Sequence, residues 1–297
     1  MRLAQAILFS LLVLLAPGLA LADGADEFPS LWESHDTRLQ QKLDHILSDL
    51  GLQKAIRKKT LGVALVDITD PEEPLVASIN GNQMLYAASL PKIAILLSAF
   101  VEIEQGDMKL DQDTRASLTR MIRKSSNADA TRMLRKVGKE RLLEILQDPR
   151  YDLYDPRVNG GLWVGKEYAK APAYKRDPLH HLSHGATAMQ VARFYYLMET
   201  GQLVSPKLTA EMKAMLGHPG IHHKFVKGLA DHPEAKIFRK SGTWSRWHAD
   251  SALVEAEGHK YILVGLAEDP RGGKWLTEMI KPIHETIVPQ RLASRQP

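Results

Sequence analysis

Strand-like segments sit at the two ends of this chain and helix-like segments fill its middle, and that distribution limits how it can fold. Residues 34–50 place Leu39, Leu43, Ile46, Leu47 and Leu50 on one stripe at helical spacing. Leu61-Gly62-Val63-Ala64-Leu65-Val66-Asp67 then reads as a buried strand, Asp70-Pro71 turns the chain, and a second strand lies near Leu75 to Ile79. Beyond Gly81-Asn82 a long helical stretch begins at Ser89, with Pro91 suited to its first turn, where a missing N–H costs nothing. Residues 110–148 continue as helices, with Leu118, Met121, Ile122, Met133, Leu134, Val137, Leu142 and Ile145 as core positions. Residues 149–185 break into Pro, Gly, Tyr, Asp and Lys, a loop long enough to imply a function. Helical spacing returns at 187–200 and 206–216, strands at 237–247, 250–256 and 260–267, and a last helix carries Leu276, Ile280, Ile283 and Ile287.

The economical arrangement is α+β: a five-stranded antiparallel sheet built from both ends, flanked by the terminal helices, with an inserted all-helical lobe. The α/β part then takes about residues 23–85 and 235–297, and the lobe about 86–234. Residues 1–22 stand apart. Arg2 precedes an apolar run from Ile7 to Leu15, followed by Pro17-Gly18 and Ala20-Leu21-Ala22, the pattern of a secretory signal peptide cleaved after Ala22. The run is short for a membrane-spanning helix, so a periplasmic or secreted protein without a stable membrane anchor is expected. With no cysteine, neither a disulfide nor a lipid-modified thiol contributes. The formal charge of +4, or +3 once Arg2 is gone, is too small and too evenly spread to argue for nucleic acid.

Three polar clusters lie along this frame: Ser89-Leu90-Pro91-Lys92, Ser125-Ser126-Asn127 and Lys240-Ser241-Gly242-Thr243. Each brings hydroxyls and most bring a cation, which is what moving an acyl group onto a serine requires. A serine hydroxyl is a weak nucleophile at its free pKa and needs a base beside it. A lysine three residues later on a helix lies on the same face, within reach. Alone, each cluster has an ordinary explanation. An S-x-x-K arises about once by chance in a chain of this length, Ser125-Ser126-Asn127 suits a helix cap, and Lys240-Ser241-Gly242 suits a strand edge.

Taken in order, the three resemble the penicillin-recognising active-site serine hydrolases, the superfamily of class A β-lactamases and D-alanyl-D-alanine peptidases, with S-x-x-K, S-x-N and K-[ST]-G. Ala128 to Leu142 and Ala186 to Leu203 are similar to helices of that family, and the likeness spans roughly residues 35–290. The resemblance implies Ser89 as the acylated nucleophile, Lys92 as its proton acceptor and Ser125 as the proton carrier to the departing nitrogen. It implies Asn127, Lys240, Ser241, Gly242 and Thr243 as the substrate-binding residues, with the N–H groups of Ser89 and Thr243 as the oxyanion hole. A lysine can accept a proton near neutral pH only if burial or a nearby cation lowers its pKa, and Lys240 is a candidate for that cation.

The chain departs from the class A pattern in three places. Where an E-x-x-x-N stretch supplies the glutamate that releases the acyl group, this chain has Pro156-Arg157-Val158-Asn159 after Leu153-Tyr154-Asp155. Glu167 lies in the same loop without the matching asparagine, and Asp155 and Asp177 have no better support. The interval between Ser89 and Ser125 is short, which predicts an open cleft. After Thr243, the run Trp244-Ser245-Arg246-Trp247-His248 places aromatics, a histidine and an arginine beside the binding strand; alternate inward and outward packing would account for them as well. His180-His181 with His184, and His218 with His222-His223, lie amid Pro and Gly and lack an H-E-x-x-H glutamate, so no metal or other cofactor is expected.

The expectation is a secreted serine hydrolase cleaving an amide through an acyl-Ser89 intermediate, its partner a β-lactam or a peptidoglycan-derived peptide ending in D-alanine. Two alternatives stay open. One is a penicillin-binding D,D-peptidase-like enzyme with little β-lactam turnover, which the missing loop glutamate favours. The other is a non-catalytic cell-wall peptide-binding protein, which would have no need of Lys92.

Overall fold

The computed structural model describes residues 28–289. The predicted signal segment, 1–22, lies outside the described residues. Among those described, no helix is long and apolar enough to cross a membrane.

Helices α1 (Thr37–Asp49) and α2 (Gln53–Arg57) precede strands β1 (Leu61–Asp67) and β2 (Leu75–Ile79). A short β3 (Leu85–Tyr86) leads into α3 (Lys92–Gln105), α4 (Gln112–Arg123), α5 (Asn127–Val137) and α6 (Lys139–Gln147). Four short strands follow, β4 (Tyr154–Asp155), β5 (Gly160–Gly161), β6 (Trp163–Val164) and β7 (His184–Ala186), and then α7 (Ala188–Glu199), α8 (Pro206–Leu216) and α9 (Phe225–Gly228). The chain closes with β8 (Lys236–Trp244), β9 (Trp247–Ala256), β10 (His259–Glu268) and α10 (Gly272–Ile287). The helices start where side chains can satisfy the free N–H groups of a first turn: Asp36, Asp111, Ser126 and Thr187 each accept a backbone N–H three residues on.

The expected sheet is present. Its order is β2-β1-β10-β9-β8, antiparallel throughout, with the first two strands from the N-terminal part and the last three from the C-terminal part. Strand β1 is buried on both faces because its alternate residues serve two cores. Val63 and Leu65 pack with Leu43 and Leu47 of α1 and Leu276, Met279 and Ile280 of α10. Ala64 and Val66 pack toward α3 and α7, among Ile93, Leu97, Val191 and Tyr195. Thus the terminal helices cover one face, while the inserted segment covers the other.

Three local features differ from the expectation. The helix foreseen over Ala128 to Leu142 is two helices, α5 and α6, because Gly138 at φ +98 breaks the run. The loop over 149–185 is not wholly irregular: β6 and β7 join β3 in a three-stranded sheet, and β4 pairs with β5. The lobe is therefore helical apart from these short pairings. The run from Thr243 to His248 is not one strand. It folds back at Ser245-Arg246, pairing Thr243 with His248 and Trp244 with Trp247.

Candidate active site

Ser89 lies in the turn between β3 and α3. Lys92, Ile93 and Ala94 donate backbone hydrogen bonds to Ser89, Leu90 and Pro91, three residues back in each case. Such a tight first turn eclipses positions i and i+3, which sets Ser89 and Lys92 one above the other. The residue before the serine, Ala88, has φ +51, and Ser125 (φ +55) and Lys224 (φ +52) share that rare conformation. Non-glycine residues held there carry strain that surrounding packing must hold in place, and such residues gather at functional sites.

Two buried lysines converge on Ser125 from opposite sides. The Lys92 ammonium donates to the Ser125 carbonyl (2.6 Å), the Ser125 hydroxyl (3.3 Å) and Asn127 Oδ1 (2.8 Å). The Lys240 ammonium donates to the Ser125 hydroxyl (3.0 Å) and the Ser241 carbonyl (2.6 Å). Burial pushes the Lys92 amine down to about 7. Lys240 is held well below its ordinary value, by burial first and by the nearby Lys92 charge second. Burial accounts for the Lys92 shift, and the charge effect between the two lysines falls on Lys240.

Strand β8 presses directly against the nucleophile's turn. A Cβ on Gly242 would fall 2.1 Å from the Ala87 carbonyl oxygen and 2.8 Å from the Ser89 nitrogen, so only glycine permits the approach. The next residue, Thr243, faces the cavity that Ser89 and Asn127 also line. Its hydroxyl accepts from Lys224 (2.8 Å), whose ammonium also donates to the Gly242 (2.6 Å) and Ala249 (2.9 Å) carbonyls. Burial lowers the Lys224 amine to about 8, against the opposing pull of Asp250. Behind the strand, Arg239 forms a fully buried bidentate pair with Asp250 (2.8 and 2.7 Å). Ser241 lies opposite Asp250 in the β8–β9 register, buried, and alternation puts its side chain on the same face as that of Thr243.

The cavity holds about 860 Å³. Aromatic rings wall it: Tyr86 meets Trp247 edge to face at 5.3 Å, and Trp244 stands 64% exposed at the rim. From the long loop, the Tyr168 ring covers the Lys92 ammonium at 4.5 Å, stacks on His184 and donates to the Ala88 carbonyl. Burial holds the Tyr168 hydroxyl far above its ordinary pKa, so it stays protonated. Neighbouring Glu167 is clamped by Arg135 (2.6 Å) and Lys139 (2.9 Å), which hold its carboxyl well below the usual range. Asp155 pairs with Arg157, and buried Asp177 accepts from Tyr154 and three backbone N–H groups. Among the described residues, no loop carboxylate bonds to Lys92.

Ser89, Lys92, Ser125, Asn127, Lys240, Gly242 and Thr243 thus come together from three separate segments. Tyr168 and Lys224 complete the surroundings and had no local signal; each is a single residue in an irregular stretch. The histidines of the two runs at 180–184 and 218–223 make separate contacts. His180 bonds Asn159, His184 the Lys166 carbonyl, His222 the Pro219 carbonyl, and His223 lies against Arg239. Arg246 sits at the hairpin turn near Glu268 (3.8 Å), and His248 lines a second cavity with Lys224.

A family described as the β-lactamase enzyme family matches this sequence over residues 38–117 and 113–288. No curated protein matches it. Solved structures do. PBP-A superposes with a TM-score of 0.64 at 16% identity, covering 85% of this chain and 96% of PBP-A. A class A β-lactamase from Bacteroides cellulosilyticus gives 0.65 at 16% identity, covering 84% of this chain and 98% of that one. A β-lactamase from Sphaerobacter thermophilus gives 0.65 at 14%, with 83% and 96% covered. At such identities the structures establish a shared fold. The family match runs through nearly all of the described residues, and on that ground this chain belongs to the β-lactamase enzyme family.

Proposed function

We propose that this protein is a serine hydrolase acylated on Ser89 by a small amide bearing a carboxylate, either a β-lactam or the D-alanine end of a cell-wall peptide. The observation that carries this reading is the Ser125 hydroxyl, held between the Lys92 and Lys240 ammonium groups beside the Ser89 turn. Lys92, with a pKa near neutrality, takes the proton as Ser89 Oγ attacks the carbonyl carbon. The C–N bond then breaks, and Ser125 passes a proton to the departing nitrogen and recovers one from Lys92. The N–H groups of Ser89 and Thr243 hold the developing oxyanion. Asn127, whose Oδ1 is taken by Lys92, has its amide N–H₂ left for the substrate. Thr243, backed by Lys224, and Lys240 draw the carboxylate.

Among the described residues, release of the acyl group lacks such an apparatus. Tyr168 covers Lys92 with a protonated ring, and Glu167 is a poor base while Arg135 and Lys139 hold it. This favours a D,D-peptidase-like, penicillin-binding enzyme with little β-lactam turnover over an efficient β-lactamase. One similar solved structure, at 16% identity and a TM-score of 0.64, is an acyl-enzyme complex of a PBP-A mutant with penicillin G, which supports the choice of that probe. We place the protein outside the cytoplasm on the sequence of residues 1–22 alone.

Intact-mass spectrometry over time after mixing with penicillin G tests the reading. A long-lived adduct in the native protein, absent in Ser89→Ala, is the expected result. A transient adduct with accumulating product would make it a β-lactamase. No adduct, with equal reversible binding by both proteins, would leave the cell-wall peptide-binding reading in its place.

A further inference from the structure

Away from the cleft, on the face of the sheet covered by α1 and α10, two imidazoles and a carboxylate converge. His232 and Glu234 lie in the turn that leads into β8, and His284 lies in the last turn of α10. Their ligand atoms all fall within 4.8 Å of one another. Glu234 Oε1 is 2.9 Å from His232 Nδ1 and 3.4 Å from His284 Nε2. Zinc bonds of about 2.0–2.1 Å in a tetrahedron place neighbouring ligand atoms roughly 3.3 Å apart, so small adjustments bring this set to zinc geometry.

A second observation concerns what stands behind the inner ligand. His284 is 1% exposed, and its other ring nitrogen, Nδ1, lies 3.1 Å from the buried Tyr261 hydroxyl. A metal-binding histidine commonly donates its second N–H to a hydrogen-bond acceptor, which sets the tautomer and leaves the outer nitrogen's lone pair toward the metal. Tyr261 can accept that N–H. The two rings lie 4.5 Å apart, so two imidazolium charges there would repel, while one shared cation would serve both. Glu234 is about one-third exposed, which leaves water a way to the fourth position.

We propose that His232, Glu234 and His284 form a divalent-metal site, with zinc the ion their N₂O donor set suits best, separate from the Ser89 cleft. Two imidazoles and one carboxylate match zinc's preferences, whereas magnesium and calcium prefer oxygen ligands. The ion ties the end of α10 to the turn before β8, and so to the strand that carries Lys240-Ser241-Gly242.

The full protein, purified without a histidine tag and stripped of metal, is titrated with ZnCl₂ by calorimetry and by thermal melting. One zinc per chain is expected, with a melting temperature raised by roughly 5 °C at saturating metal. Cobalt(II) at the same site should show the visible absorption of tetrahedral coordination. Because His284 is fully buried, its replacement also disturbs packing, and the more exposed ligands carry the test. Glu234→Gln and His232→Ala should each weaken zinc at least about tenfold, and Tyr261→Phe about tenfold, with acylation of Ser89 unchanged. A native protein without stoichiometric zinc, or undiminished binding in a Glu234→Gln/His232→Ala double variant, would overturn the site.

Discussion

At the scale of single residues, the proposed chemistry depends on which ammonium groups are denied water. Lys92 and Lys240 both point at one hydroxyl, and burial makes their protons easier to lose. If neutral Lys92 is the base, acylation by penicillin should rise about tenfold per pH unit below 7 and level off above it. The measurement is the second-order rate of adduct formation across pH 5–9; a flat profile would remove Lys92 from the base role. The same shift bears on stability. Between about pH 7 and the ordinary lysine range the unfolded chain holds a proton at Lys92 that the folded chain lacks, so this group adds stability as pH rises. Ser89, Lys92, Ser125, Asn127, Lys240 and Thr243 were legible because their types and order carry chemical meaning. Tyr168 was not, since a tyrosine in a loop has no local reason to lie on a lysine.

At the scale of elements, the site is an edge strand brought against a helix-entry turn. Gly242 is the contact point, and its missing Cβ makes the approach possible. Gly242→Ala should push β8 from the Ser89 turn, cutting the acylation rate by about 100-fold or more, since a shift near 1 Å suffices for that. It should also lower stability by about 1–3 kcal/mol through overpacking. Adduct kinetics and urea unfolding of the variant check both. Periodicity located the five strands and most helices well, because β1 alternates between two cores and α1 shows a full apolar stripe. It failed at Gly138, where one residue with positive φ splits a helix, and at Ser245-Arg246, where a two-residue turn lies between two tryptophans. Both are backbone events, and composition averaged over a window does not register a single dihedral.

At the scale of the whole molecule, the sheet that carries the site is tied together by a buried charge pair. Arg239 of β8 and Asp250 of β9 form a fully buried ion pair, which also receives the Phe225 N–H and reaches the Ile221 carbonyl. Asp250→Ala should cost about 3–5 kcal/mol, because it leaves a buried guanidinium uncompensated. An Arg239→Met/Asp250→Leu double variant should recover much of that loss; the readout is the denaturant midpoint of each. The sequence by itself determined the order of strands and helices and the three clusters on which the proposed reaction rests, since periodicity and side-chain chemistry are local properties. Only the tertiary structure decided that Tyr168 faces Lys92, that Lys224 backs Thr243 and that His232, Glu234 and His284 converge. Those choices depend on how sheet register and packing bring distant segments together, and no stretch of sequence carries that on its own.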